Sequence, residues 1–312
     1  MTTHSPTGHH DRGSQTMEIA PEIAPLGTVR TDLGECPVWD AVRQRLWLAD
    51  CRRGWIHVID PAQGDVMRYD LPAPLGSFAL NGEDSLVVAL KEQVALYTPS
   101  TGALRRVADI GDRHPNLRLN DGTPMPDGSF VVGTMHVFRE PDEAPLGGLY
   151  RLDCDGGFAR IERGFGIVNG PMTHPSRAEF YVCDSAARSI YRYRLDAGGR
   201  LSGRERFVDT APLGSAPDGC CFDSDGGLWT ALVHAGALVR FDAVGQLTHR
   251  IDLPVAHPAS LCFGGPALED IYVTTIRDSG RLSADGPLDG AVLRVRGTGL
   301  RGAARPHCRI LL

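Results

Sequence analysis

One polar or small residue recurs at the same phase of six repeating segments, and this repeat restricts the fold more than any other feature. The recurring residue lies ten or eleven positions before the hydrophobic residue that opens the next strand-like segment, and successive members are 41 to 49 residues apart. The six members are Glu35, Gly76, Asn120, Asn169, Asp218 and Ser260. Repeats of this length are typical of β-propeller blades, whose equivalent positions converge on a common axis. We therefore predict an all-β, six-bladed β-propeller with these residues gathered in its central channel.

The remaining sequence reads as short antiparallel strands. Segments such as 45–50, 179–184 and 270–275 are rich in β-branched and aromatic residues and are separated by Gly-containing turn pairs. Asp121-Gly122 and Asp127-Gly128 are interpreted as two of these turns. A β-sandwich or two smaller barrels is the alternative, but neither explains the constant phase of the polar residues.

The two ends of the repeat predict how the ring closes. We expect the segment 23–29, which precedes the first full repeat, to pair with the last blade near 291–295. Residues 1–18 are polar and rich in His, Gly, Ser and Thr, and we expect them to be a disordered tail, with Met17 as an alternative start. Residues 19–312 are then a single propeller domain.

Composition narrows the cellular setting and the partners. A net charge of −6 with interspersed charges gives no basic footprint for nucleic acid or an anionic membrane. No apolar stretch approaches the ~20 residues of a membrane span, and the N-terminus has no secretory h-region. The eight cysteines show no paired spacing, so we expect buried free thiols in a reducing cytoplasm. We expect a cytoplasmic monomer or homodimer that binds a small molecule.

The recurring polar residues indicate a metal site in the channel. Glu35, Asn120, Asn169 and Asp218 would bring two carboxylates and two amides together, and such oxygen ligands suit Ca²⁺, Mg²⁺ or Mn²⁺ better than a structural Zn²⁺. Asn-Gly and Asp-Gly pairs also form turns, which would explain single pairs but not four residues at one phase. Arg118 lies two positions before Asn120 and is expected on the same strand face, either as a donor to a polar substrate or in a surface ion pair.

The other motifs are less informative. His136 follows the strand-like segment 133–135 and begins a long loop towards Pro145, so it is a candidate for substrate contact at the channel mouth. The remaining histidines are interpreted as structural partners. We find no convincing GxSxG, P-loop or GxGxxG motif, and no nucleophilic triad can be assembled.

Several motifs together resemble the senescence marker protein / gluconolactonase / regucalcin family, and the resemblance extends from about residue 23 to residue 300. The motifs are Leu33-Gly34-Glu35-Cys36-Pro37-Val38-Trp39, Arg118-Leu119-Asn120-Asp121-Gly122, Asn169-Gly170, Pro217-Asp218-Gly219 and Cys262-Phe263-Gly264-Gly265. The resemblance implies a six-bladed propeller with one catalytic divalent metal in its channel, and hydrolysis of sugar lactones.

The resemblance also implies roles for individual residues. Glu35, Asn169 and Asp218 match the metal ligands of the family, and Asp218 also matches its general base. Arg118 and Asn120 match the substrate-binding pair, which moves Asn120 from the ligands to the substrate side. Ca²⁺ is the expected ion, with Zn²⁺, Mn²⁺, Mg²⁺ and Fe²⁺ as alternatives.

The sequence departs from the family at one substrate contact. Animal members carry a Glu after the Gly-Thr-Met strand, where this chain has Phe138. Phe138 is therefore a candidate substrate contact that alters sugar specificity and leaves metal binding intact. We expect metal-dependent opening of an aldonolactone to the aldonic acid. The alternatives are a non-enzymatic propeller that binds calcium or a protein partner, and a related hydrolase acting on phosphotriesters or aryl lactones.

Overall fold

The strands form six antiparallel sheets, five of four strands and one of five, arranged as the blades of a propeller. The computed structural model describes residues 17–18, 20–64, 66–111, 114–140 and 142–312. The prediction of a six-bladed all-β propeller is confirmed. Within the described residues the only helix is a single 3-10 turn, Ala211–Leu213, and none of the helical structure there could cross a membrane.

Four consecutive strands build most blades. The chain begins with β1 (Met17–Glu18) and β2 (Glu22–Arg30). Blade 1 contains β3 (Gly34–Asp40), β4 (Arg45–Asp50), β5 (Trp55–Ile59) and β6 (Val66–Asp70). Blade 2 contains β7 (Leu75–Leu80), β8 (Leu86–Leu90), β9 (Gln93–Thr98) and β10 (Ala103–Asp109). Blade 3 contains β11 (Leu117–Pro124), β12 (Phe130–His136), β13 (Gly147–Leu152) and β14 (Phe158–Phe165).

The second half of the ring follows the same order. Blade 4 contains β15 (Val168–Thr173), β16 (Glu179–Asp184), β17 (Ser189–Leu195) and β18 (Leu201–Asp209). Blade 5 contains β19 (Pro217–Phe222), β20 (Leu228–Leu232), β21 (Ala237–Phe241) and β22 (Leu247–Asp252). Blade 6 contains β23 (Pro258–Gly264), β24 (Asp270–Thr275) and β25 (Ala291–Arg296).

The N-terminal segment supplies the outermost strand of blade 6. Strand β2 pairs antiparallel with β25, with Ile23 opposite Val295 and Arg30 opposite Ala291. The predicted closure of the ring is therefore confirmed. The prediction of a disordered tail concerns residues outside the described chain, apart from Met17 and Glu18, which form β1 and pair in parallel with β22.

Apolar clusters fill the junctions between blades. Each of the six junctions has its own cluster of buried side chains from the two neighbouring sheets. Trp229 and Phe180 are among the largest fully buried side chains. All eight cysteines are free, and seven are buried within these layers, as their apolar sequence surroundings predict. Because neighbouring sheets pack on both faces of every blade, the innermost strands are held at fixed positions around the channel.

Every innermost strand carries a β-bulge close to its recurring residue. The register shifts fall between Glu35 and Val38 in β3, and between Leu119 and Gly122 in β11, and at corresponding points in the other four innermost strands. A bulge places two residues opposite one and redirects their side chains. The six bulges therefore explain why the recurring residue of every repeat faces the channel.

One predicted turn is wrong. Asp121-Gly122 lies inside β11 rather than at a strand end. Gly122 is required there for space, because a Cβ atom would lie 2.4 Å from the ring of Phe130. The pair marks the bulge, whereas Asp127-Gly128 does form a turn as predicted.

The C-terminal segment crosses one end of the channel. The backbone N–H groups of Ala303, Cys308 and Arg309 donate to carbonyls of Phe222, Leu80 and Gly128, which belong to or adjoin three different blades. A cavity of about 410 Å³ lies at this end, between the innermost strands and residues 303–306. We call this the lower end; the opposite end, where the innermost strands begin, is the mouth.

Candidate active site in the channel

A cavity of about 780 Å³ opens at the mouth. Its walls come from the beginnings of the innermost strands and from the loops between the second and third strands of the blades. The cavity is lined by six of the residues predicted to form the site, namely Glu35, Arg118, Asn120, Phe138, Asn169 and Asp218. Leu33, Ile167 and Ala216, at the phase of Arg118 in other repeats, give the same wall an apolar lining.

A chain of hydrogen bonds orients the amides in this cavity. Arg118 Nη1 donates to Asn120 Oδ1 at 3.0 Å, and Asn120 Nδ2 donates to Asn169 Oδ1 at 2.7 Å. Asn169 Nδ2 donates in turn to Ser185 Oγ at 2.9 Å, and Ser185 Oγ donates to the Pro217 carbonyl at 2.6 Å. With its amide group oriented in this way, Asn169 presents a carbonyl oxygen with one lone pair still available.

Three carboxylates make the channel strongly electronegative. Burial raises the pKa of the Glu35 carboxyl well above its ordinary value; the Asp218 and Asp121 carboxylates raise this pKa further, and Arg118 opposes them. Burial likewise raises the pKa of Asp218 well above its ordinary value, with Asp121 adding to the effect. Clustered carboxylates repel one another in the ionised form, so a bound cation would stabilise them.

The donor set fits a hard divalent cation. Asp218 is 7% exposed, and its Oδ1 atom is buried without a hydrogen-bond partner among the described residues. A buried carboxylate oxygen with no partner is costly, and an ion would satisfy it. Glu35 and Asn169 line the same cavity and add two more oxygens. Residues of this type can hold Ca²⁺ or a similar ion while leaving coordination positions open.

Asp121 is a candidate site residue that the sequence interpretation missed. Its Oδ2 atom accepts the Gly170 N–H at 2.8 Å, and its Oδ1 atom accepts the Cys36 thiol at 3.4 Å. Asp121 thus joins the innermost strands of three blades and adds negative charge near Glu35 and Asp218. The sequence signal for Asp121 is its position next to Asn120. If Asp121-Gly122 is interpreted as a bulge in the strand rather than as a turn, Asp121 is expected to lie close to the channel.

The structure does not bring His136 to the cavity. The side chain is fully buried beside His114 and Glu143, whereas the adjacent residues Met135 and Val137 line the cavity. Successive side chains of a strand point to opposite faces, so a histidine between two cavity residues must face away. The predicted substrate contact at His136 is therefore not supported by its position.

The mouth is rimmed by an aromatic ring and several cations. Phe138 is 63% exposed, and the Arg281 guanidinium lies 5.4 Å from the centre of its ring. Arg188 also lines the mouth and is exposed. Arg52 is paired with Asp278 at 2.6 Å, but Arg188 and Arg281 have no carboxylate partner within the described part of the chain. The rim thus presents two uncompensated positive charges.

Fold and site together define a six-bladed β-propeller with an acidic, oxygen-rich site at the mouth of its channel. The chain belongs to the SMP-30/Gluconolactonase/LRE-like family, whose model matches residues 33–277. That match contains every innermost strand and all of the site residues predicted from the sequence.

Named relatives cover most of the chain. It is 34% identical to a 6-deoxy-6-sulfogluconolactonase of Pseudomonas putida, over 88% of this chain and 94% of the relative. It is 36% identical to a pentonolactonase of Haloferax volcanii, over 81% of this chain and 84% of that relative. A solved structure of regucalcin, a calcium-binding protein of Agrobacterium tumefaciens, superimposes with a TM-score of 0.83 at 24% identity, over 95% of this chain and 99% of that one. This last similarity supports the fold alone.

Proposed function

We propose that the protein hydrolyses sugar lactones to aldonic acids with the help of one divalent cation held by Glu35, Asn169 and Asp218. The observation that carries the proposal is the unpartnered Asp218 Oδ1 atom, buried in the same cavity as Glu35, Asn169 and the Arg118–Asn120 pair. Family membership and the two lactonase relatives support the reaction class. When bound, a divalent cation supplies Lewis-acid polarisation of the lactone carbonyl.

The side chains have separate tasks in this reaction. Asp218 accepts a proton from the water that attacks the carbonyl carbon, and a bound cation keeps its carboxyl ionised and ready to act as this base. The bond between the carbonyl carbon and the ring oxygen then breaks, and the ring oxygen takes up a proton to become a hydroxyl. Arg118 donates hydrogen bonds to the sugar oxygens. Asn120 Nδ2 already donates to the Val168 carbonyl and to Asn169 Oδ1, so Asn120 accepts a sugar hydroxyl through its Oδ1 atom, and the two residues hold the ring in place.

We further propose Ca²⁺ as the ion, because the donors are all oxygen atoms. Zn²⁺, Mn²⁺, Mg²⁺ and Fe²⁺ remain alternatives. To rank the ions, the protein is first stripped of metal with a chelator, and lactone hydrolysis is then measured after addition of each ion. Restoration by Ca²⁺ at the lowest concentration supports the proposal, and restoration by Zn²⁺ alone contradicts it.

Replacement of Asp218 tests the reaction and its ion together. Asp218→Asn should lower both metal content and the rate of aldonolactone hydrolysis, the rate by at least about a thousandfold, since metal and base are worth several kcal/mol of transition-state stabilisation. Asp225→Asn, at an exposed turn of the same blade, is the matched control and should retain both. Full lactonase activity in a metal-free Asp218→Asn protein would refute the mechanism.

A substrate panel separates the alternatives. Aldonolactones, an aryl lactone and a phosphotriester are assayed with and without EDTA. Metal-dependent turnover confined to the aldonolactones is expected, since Arg118 and Asn120 are hydrogen-bonding groups suited to hydroxylated rings. No turnover of any compound, with retained calcium binding, would favour a non-enzymatic propeller. Turnover of the aryl lactone or phosphotriester alone would favour the third class.

We also propose that the preferred lactone carries an anionic substituent away from the carbonyl. Arg188 and Arg281 face the mouth without carboxylate partners in the described chain, and the only carboxylates lining the cavity, Glu35 and Asp218, are assigned to the ion. Such cations attract anionic substrates and bind their oxygens. A sulfo group of this kind is part of the lactone in the name of the Pseudomonas putida relative.

The rim is tested by comparing anionic and neutral aldonolactones. Arg188→Gln and Arg281→Gln should raise KM for the anionic substrate about tenfold and leave the neutral substrate nearly unchanged, since one charge-assisted hydrogen bond is worth about 1.5–3 kcal/mol. Arg52→Gln, whose guanidinium is already paired, is the matched control. Equal effects on both substrates would show that the rim arginines do not select for charge.

A further inference from the structure

Three potential metal ligands meet behind the wall of the channel, outside the site described above. One ligand atom each of His114, His136 and Glu143 lies within 4.8 Å of the others. They come from the segment before β11, the end of β12 and the loop between β12 and β13. None of the three lines the mouth cavity, although Val137 and Phe138 of the same loop do.

His136 is an unexplained buried polar group. The residue is 2% exposed, and neither ring nitrogen has a hydrogen-bond partner among the described residues. Its Nε2 atom faces Glu143 Oε2 at 3.5 Å, which is longer than the 2.7–3.2 Å of an N–H···O hydrogen bond. A buried imidazole with both nitrogens unpaired is costly, so something beyond the described atoms is needed to satisfy it.

The distance between His136 Nε2 and Glu143 Oε2 is too long for a hydrogen bond but suits two ligand atoms bound to one metal ion. With metal–ligand bonds of about 2.0–2.1 Å, neighbouring ligand atoms of a tetrahedral Zn²⁺ site are about 3.3 Å apart. The His114 ring lies edge-on to that of His136, with centroids 5.3 Å apart. His114 Nδ1 accepts only a long contact of 3.3 Å from the Asn116 N–H, so a small rotation of the ring can bring a nitrogen to the ion.

We propose that His114, His136 and Glu143 form a second metal site, which takes Zn²⁺ or a similar late first-row ion. Two imidazoles and one carboxylate prefer such ions, in contrast to the all-oxygen donors of the channel. The ion would connect Glu143, in the loop between β12 and β13, to the end of β12 and to the segment before β11. Asn116 already bonds to both neighbouring loop residues, accepting the Val137 N–H at 2.6 Å and donating to the Phe138 carbonyl at 3.1 Å. The ion therefore fixes the segment that carries Phe138 to the mouth.

Metal binding is tested in the full chain with the channel site disabled. After chelation, Asp218→Asn protein is titrated with Co²⁺ and with Zn²⁺, with calorimetry and visible absorption as readouts. One equivalent of Co²⁺ with the absorption of a tetrahedral site is expected, and Zn²⁺ should displace it. No binding of either ion would overturn the proposal, whatever the lactonase assays show, because no step of this test uses a lactone.

Ligand variants identify the side chains. In the same background, Glu143→Gln and His136→Gln should each weaken Co²⁺ binding by at least about tenfold to a hundredfold. Glu143 is half-buried in a loop, so its variant stays informative even if the buried His136 variant folds poorly. His307→Gln, at an exposed histidine, is the matched control. Undiminished binding in Glu143→Gln would overturn the assignment.

A structural readout is offered by the loop itself. Arg139 is exposed in this loop and is a trypsin site. Zn²⁺ should slow cleavage after Arg139 severalfold in the wild-type protein and should not slow it in Glu143→Gln. Cleavage at the same rate with and without Zn²⁺ would contradict the role assigned to the ion.

Discussion

Arg118 illustrates how much one side chain contributes through position rather than charge. Burial lowers the pKa of its guanidinium, and Cys51 and Glu35 oppose that shift. Its Nη1 atom bonds to the Leu119 carbonyl at 2.9 Å and to Asn120 Oδ1 at 3.0 Å, which fixes the planar group against the channel wall. The remaining donors of this planar group can then meet a sugar without further ordering.

We expect Arg118→Lys to lower kcat/KM for an aldonolactone about tenfold to a hundredfold while metal content is retained. Lysine keeps the charge but loses the planar fork, and hydrogen bonds to charged groups are worth about 1.5–3 kcal/mol. Steady-state kinetics and metal analysis measure the two effects. Arg106→Lys, at an exposed position on β10, is the control, and an unchanged kcat/KM in Arg118→Lys would contradict the substrate role.

We expect His57 to contribute to the pH dependence of stability, separately from catalysis. It is buried in β5, both ring nitrogens lack partners among the described residues, and burial lowers its pKa. The unfolded chain takes up a proton at this histidine below about pH 6.5, whereas the folded chain resists it. The contribution of His57 to stability is therefore present above pH 6.5 and is lost as the pH falls below it.

His57→Leu should flatten this part of the pH profile. Urea unfolding at pH 7.5 and pH 5.5 should show a smaller loss of unfolding free energy in the variant than in the wild type. His307→Leu, at an exposed histidine, should leave the difference as it is. An identical pH dependence in wild type and His57→Leu would show that another group controls it.

At the scale of the elements, closure of the ring depends on β2. Leu26 and Val29 of this strand are buried in the cluster between blades 6 and 1, and burying such side chains is worth about 1.5–3 kcal/mol each. A chain beginning at residue 31 should lose at least about 3–6 kcal/mol of unfolding free energy and expose the edge of β25. Guanidinium unfolding measures the loss, and a chain beginning at residue 20, which keeps β2, should unfold like the full chain.

The elements also show what the sequence could and could not predict. Strand positions and the pairing of 23–29 with 291–295 follow from alternation and repeat length, which are local signals. The sequence predicts a turn at the Asp121-Gly122 bulge because both features use the same residues, and the continued pairing of β11 with β12 beyond Asp121 distinguishes them. The predicted cavity contact of His136 differs from the structure because the pattern ends the strand at Met135, whereas β12 includes His136 and strand alternation turns its side chain away from the cavity. Its contact with Glu143 depends on a loop whose path no local pattern specifies.

For the whole molecule, the channel cation should act as a stabilising clamp. Glu35, Asn169 and Asp218 belong to blades 1, 4 and 5, so one ion joins distant parts of the ring and relieves repulsion among the carboxylates. A ligand at a hundred times its Kd adds about 2.7 kcal/mol, which corresponds to about 5 °C in Tm for a domain of this size.

Thermal unfolding in EDTA and in excess Ca²⁺ should therefore differ by about 5 °C in the wild type. Asp218→Asn should show little or no difference, and Asp225→Asn should behave like the wild type. A calcium-dependent rise of the same size in Asp218→Asn would place the stabilising ion elsewhere.

The C-terminal segment across the lower end also determines how molecules exchange. Residues 302–311 hydrogen-bond to the ends of several blades there, so we expect the lactone to reach the site through the mouth. Incoming lactone and outgoing aldonate must then use the same entrance, and a bound product excludes the next substrate. We therefore expect the aldonate to inhibit hydrolysis competitively with respect to the lactone, which initial rates measured with added aldonate would show.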